Sequence, residues 1–163
     1  MKKLSFFLSF ITLLIPVNVM ACSCGPSTVQ ENVKWADVIF AGEATKVEYI
    51  EADSDALDEP RIIVTFTVSQ FWKGDVRKTI ILHTTYNKYS CGGYYFEESQ
   101  KFIVYAKKYL AEDWLGSGRP KLSGITYPKP DELVLGTVLC TRTNFLARAD
   151  EDIKMLGRGE TPK

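Results

Sequence analysis

The clearest pattern along the chain is a two-residue alternation. Ile62, Val64, Phe66 and Val68 fall on one face and Ile63, Thr65, Thr67 and Ser69 on the other, which predicts a half-buried strand. Trp72-Lys73-Gly74-Asp75 then supplies a turn, and Thr79 to Thr84 is expected to pair back. Three more runs are β-branched or aromatic in character: Val38 to Tyr49, Lys101 to Ala106 and Leu133 to Cys140. Gly42 and Gly136 lie inside two of these runs and predict a bulge or a sharp bend. Over residues 27–36 the spacing becomes helical, with Val29, Val33 and Ala36 on one stripe, Ser27 as the expected N-cap and Gln30 completing a capping box. Near the end, Leu146, Ala149, Ile153 and Leu156 recur at steps of three, four and three, and Gly157 is placed to stop that helix.

Five strands with glycine bends, and no helices between them to make parallel crossovers, predict an all-β fold. The expected architecture is a five-stranded closed β-barrel with a short N-terminal helix and a C-terminal helix. Two connections stand apart from it. Glu51 to Pro60 carries five acidic residues, no aromatic and a proline, and reads as a solvated link. Lys107 to Glu132, with Gly116, Gly118 and three prolines, is longer than a hairpin needs and reads as an insertion.

The chain begins with Lys2 and Lys3, an apolar run from Leu4 to Val17 and a short Val19-Met20-Ala21 end, the layout of a secretory signal. Residues 1–21 are therefore expected to be removed, leaving 22–163 as one secreted or periplasmic domain. The signal takes two of the 20 basic residues and none of the 20 acidic ones, so the remainder carries 18 against 20 and a formal charge of −2. Such a balance argues against nucleic acid as a partner, and no second apolar stretch of about 18 residues predicts a transmembrane helix in the mature chain.

All four cysteines, Cys22, Cys24, Cys91 and Cys140, follow the expected cleavage point, and an even count in a secreted chain predicts two disulfides. Of the three pairings, Cys22 to Cys24 closes a very tight ring and is disfavoured; the other two stay open. The C-x-C spacing is not that of a redox dithiol. A zinc site from Cys22, Cys24 and the sole histidine, His83, lacks a fourth ligand, so no metal or cofactor of its own is expected and His83 reads as a strand residue. Val19-Met20-Ala21-Cys22 also loosely resembles a lipobox, so lipid anchoring at Cys22 is an alternative to a plain terminus. One histidine, no nucleophile elbow, no H-E-x-x-H and no phosphate loop give no constellation for an enzyme.

Taken in order, CSCGP (22–26), Gln30, ADVIFAGEATKVE (36–48), FWKGD (71–75), SCG (90–92), FIVYA (102–106) and CTRT (140–143) resemble the netrin-like domain, and within it the tissue inhibitors of metalloproteinases and their single-domain bacterial relatives. The resemblance covers nearly the whole mature chain. It implies an OB-like barrel, disulfides Cys22–Cys91 and Cys24–Cys140, and inhibition of a zinc metalloendopeptidase. In that mechanism the Cys22 α-amine and carbonyl oxygen chelate the target's catalytic zinc, Ser23 and Cys24 contact the protease beside them, and Ser90 with Cys91 form a second ridge. A catalytic zinc keeps one position for water, and a neutral amine with a carbonyl oxygen can displace that water as a five-membered chelate. The alternative is a non-inhibitory interaction module of the extracellular space or periplasm, contacting another protein through Tyr86, Tyr89, Tyr94 and Tyr95; the competing role for these tyrosines is to cover the barrel end.

Overall fold

A computed structural model of the chain describes residues 24–25, 27–50, 61–85, 92–115 and 128–163. The expected signal (1–21), Cys22, Ser23, the acidic link 51–60, Tyr86, Tyr89, Ser90, Cys91 and the middle of the expected insertion (116–127) lie outside the described residues.

Helix α1 spans Val29–Trp35, followed by strands β1 (Val38–Ile50), β2 (Arg61–Lys73), β3 (Thr79–Thr85) and β4 (Lys101–Leu110). A short helix α2 (Ala111–Leu115), strands β5 (Leu133–Gly136) and β6 (Asn144–Phe145), a 3-10 turn (Leu146–Arg148) and helix α3 (Asp150–Leu156) complete the described order. The sheet runs β1-β2-β3-β5-β4-β6, and β1 also pairs with β4, which closes five strands into a barrel. Closure leaves no long unpaired edge. One seam is parallel: β3 and β5 run in the same direction, through Leu82 opposite Leu135 and His83 opposite Gly136. Among the described residues between them lie β4 and the short helix α2.

The barrel interior is built from alternate residues: Val38 and Phe40 of β1, Ile62, Val64 and Phe66 of β2, Leu82 of β3, and Phe102 and Val104 of β4. Phe66 stands edge-on to Phe40, Phe96 and Phe102 with centroids 5.2, 5.3 and 6.3 Å away, an arrangement the aromatic quadrupole favours. On β1 and β4 the outward residues are buried as well. Ile39, Ile103 and Tyr105 form a second cluster with Ala36 and Ala149, packed against Val33, Trp35, Leu146 and Leu156. Helices α1 and α3 thus cover the outside of two strands, which is why those strands are apolar on both faces while β2 alternates.

Gly42 marks a break of register in β1, where a Cβ would come within 2.7 Å of the Thr67 carbonyl oxygen. The strand bends there because only a residue without a side chain admits that approach. The expected cap of α1 moves by one residue. Thr28, not Ser27, is the N-cap; its hydroxyl accepts from the Glu31 amide while the Glu31 carboxylate accepts from the Thr28 amide, so Glu31 replaces Gln30 in the capping box. The expected fifth strand is shorter than Leu133 to Cys140, ending at Gly136, and β4 runs to Leu110, four residues into the expected insertion. Gly157 caps α3 as expected, but Ile153 is 37% exposed and Asp152, at 4%, takes the buried position on that helix.

Candidate functional site

The described chain opens at one end of the barrel. Cys24 is disulfide-bonded to Cys140, in the turn between β5 and β6, with their Cα atoms 5.2 Å apart. Three residues on, the Ser27 carbonyl accepts from Arg142 Nη1 at 3.1 Å, and Asn32 of α1 accepts on Oδ1 from the Arg142 backbone amide, also at 3.1 Å. Lys73 donates from its ammonium to the Val33 and Ala36 carbonyls, two of the acceptors that a helix C-terminus leaves unpaired. The N-terminal segment is therefore tied at a sulfur, at a carbonyl and through its helix.

Arg142 is itself held by α3. Its Nε and Nη2 reach the two oxygens of Asp152 at 2.7 and 2.6 Å, a bidentate pair, and Nη2 also reaches Glu151 at 2.7 Å. Asp152 takes a further bond from the Tyr105 hydroxyl at 2.7 Å. Burial, reinforced by that carboxylate, pushes the Tyr105 phenol well above the usual tyrosine range, so it donates at any physiological pH. Alongside, Thr137 donates to the Tyr105 carbonyl at 2.8 Å, and Thr143 accepts from the Tyr105 amide at 3.0 Å. These hydroxyls satisfy β4 backbone groups where β6 is too short to pair them.

The segment after Cys91 reaches the same end of the barrel. Thr84 at the end of β3 donates to the Thr137 carbonyl at 3.0 Å and accepts from the Tyr94 amide at 2.8 Å. Gly93 has φ +73° and sits against Thr85, where a Cβ would fall 1.5 Å from the carbonyl oxygen. Tyr94 packs against the barrel core, its ring tilted by 51° to that of Phe96 with centroids 4.8 Å apart. Its packing fits the reading in which it covers the barrel end, whereas Tyr95 is 48% exposed. Thr84, Thr137 and the 138–140 turn therefore link the Gly92–Tyr94 segment to the Cys24–Cys140 disulfide.

Of the residues singled out in the sequence, Cys24 and Cys140 are described and bonded to each other, while Cys22, Ser23, Ser90 and Cys91 lie outside the described residues. The Cys24 sulfur, being in a disulfide, is not a thiolate ligand for metal, and no group of three metal-binding side chains occurs among the described residues. None of their helices is long and apolar enough to cross a membrane. Tyr105, Thr141, Arg142 and Thr143 lie within the FIVYA and CTRT motifs quoted for the resemblance but were given no role of their own, and Thr84, Thr137 and Asp152 were not singled out as site residues. The signal for Asp152 was an acidic residue beside the apolar stripe of the last helix.

His83 is a strand residue, 8% exposed, on the outer wall of the barrel. Burial, followed by the nearby Arg61 charge, lowers its pKa to about 4. It sits in an open groove of about 770 Å³ bordered by Ile63, Arg77, Ile81, Leu133 and Leu135. A scan against protein-family models gives no match for this chain, and a search of curated proteins gives none.

Proposed function

We propose that this protein is a secreted or periplasmic, OB-like netrin-type barrel that inhibits zinc metalloendopeptidases through Cys22. The observation that carries the reading is the Cys24–Cys140 disulfide. It is one of the two crosslinks that the resemblance implies, and it sits at the barrel end to which Thr84 and Thr137 also bring Gly92–Tyr94. The strand order β1-β2-β3-β5-β4-β1 with a parallel β3–β5 seam supports the OB-like part of the proposal.

The chemistry asked of the terminus is modest. An α-amine with an ordinary pKa near 8 loses its proton to bind zinc at small cost near neutral pH, and the adjacent carbonyl oxygen completes the chelate. What the fold adds is rigidity: a segment ordered before association loses less entropy on binding, so a small interface suffices for tight inhibition. Ser23, Ser90 and Cys91 act in this reading as contacts flanking the chelate.

A second reading, an interaction module without inhibitory action, is favoured by exposed apolar residues beside the outer groove, Ile81 at 56% and Leu133 at 61%. Titrating a panel of zinc endopeptidases with the mature protein, and with a variant bearing one extra Ala before Cys22, separates the two. Inhibition that the extra residue abolishes supports chelation. Equal potency of the two forms contradicts it, and a mass showing diacylglycerol on Cys22 excludes it.

A further inference from the structure

We propose that Arg142 is the positioning residue of the N-terminal edge, and that helix α3 supports that edge through it. This rests on the inhibitor reading above for its functional consequence, though not for its geometry. A disulfide alone leaves rotation about the bonds that flank sulfur, so Cys24–Cys140 sets how far the segment can stray but not which way it faces. Direction needs a second fixed point. The Arg142 bond to the Ser27 carbonyl is that point, only three residues from Cys24 and five from Cys22.

The fork is itself immobilised. Its Nε and Nη2 are held by Asp152 and its Nη2 also by Glu151, leaving Nη1 to reach Ser27. A planar guanidinium clamped on one edge presents the opposite nitrogen in a fixed direction, which a flexible ammonium does not do. The side chain is 22% exposed, so these charge-assisted bonds are only partly screened. The support continues beyond α3: the Trp72 indole donates to the Gly157 carbonyl at 2.8 Å, and Glu160 exchanges backbone bonds with Phe71. The C-terminal segment is thus tied both to Ser27, through Arg142, and to the end of β2.

The test compares Arg142→Met, which keeps the stem and removes the fork, with Arg142→Lys, and with Val64→Ala, a core truncation remote from these bonds that lowers stability without touching them. Two quantities are read: inhibition of the most sensitive zinc endopeptidase, and NMR order parameters of Gly25, Ser27 and Thr28. For Arg142→Met the expected results are inhibition weaker by roughly tenfold or more and order parameters falling from about 0.85 towards 0.6, with Val64→Ala changing neither. Arg142→Lys is expected to recover part of the inhibition; should the Met variant not fold, the Lys variant carries the comparison. Unchanged order parameters in the Arg142 variants, or equal loss in Val64→Ala, overturn the proposal. If the native protein inhibits no protease in the panel, the inhibitor reading fails, and the order parameters still decide whether Arg142 positions the edge.

Discussion

The Tyr105 hydroxyl and the Asp152 carboxylate meet at 2.7 Å, joining a strand of the barrel wall to the last helix where both residues are buried. Asp152 also neutralises Arg142, so the three side chains form one polar unit, buried at Tyr105 and Asp152 and partly exposed at Arg142. Its members contribute unequally. Tyr105→Phe removes one hydroxyl and leaves the ion pair, an expected loss of about 1–2 kcal/mol. Asp152→Ala leaves a mostly buried guanidinium short of its main partner, an expected loss of about 3 kcal/mol or more. Urea unfolding of the two variants measures both, and the order Asp152→Ala worse than Tyr105→Phe is the expected result.

His83 makes stability depend on pH in a defined window. Its folded pKa of about 4 lies below the ordinary value of 6.5, so the folded protein favours the neutral ring. The contribution is fully present above pH 6.5, is lost as pH falls through the interval to 4, and changes no further below that. A shift of this size corresponds to roughly 3 kcal/mol. It is the only histidine, so the difference in stability between wild type and His83→Gln, followed from pH 7.5 to 4, isolates it from the carboxylates. The wild type is expected to lose the more over that range.

The Cys24–Cys140 disulfide spans 116 residues of sequence, and the chain-entropy account assigns such a loop an upper value of about 5 kcal/mol. The aromatic core around Phe66 does not depend on it. Replacing both cysteines by serine is therefore expected to lower the urea midpoint while leaving a cooperative transition and the β-type circular dichroism intact.

Gly93→Ala places a methyl group on top of the Thr85 carbonyl at a backbone φ of +73°. Relief requires the 92–94 segment to lift, breaking the Tyr94 amide bond to Thr84. An expected loss of about 2–4 kcal/mol, with the Tyr94 amide losing its protection in hydrogen exchange, checks this.

Particular positions show where legibility stopped. Two overlapping frames satisfy the capping-box pattern, Ser27 with Gln30 and Thr28 with Glu31, and nothing local separates them decisively. In the fold the second frame wins. It leaves the Ser27 carbonyl turned to Arg142 and gives the Thr28 amide and hydroxyl a carboxylate partner, which holds Glu31 below the usual carboxylate range. On the last helix the apolar stripe pointed to Ile153, whereas Asp152 is the residue turned inward, because Arg142 and Tyr105 arrive there from elsewhere in the chain.

By themselves, the residues determined the four longer strands, the bend at Gly42 and the barrel class, since alternation, β-branching and glycine placement act within a few neighbouring positions. They also identified the candidate edge by its cysteines. Which strands run parallel, that α1 and α3 cover β1 and β4, and that Arg142 ties Ser27 to the last helix were decided only by tertiary structure. Those outcomes depend on which distant surfaces meet, and burial makes a charge or a hydroxyl indispensable only after its partners from remote segments are in place.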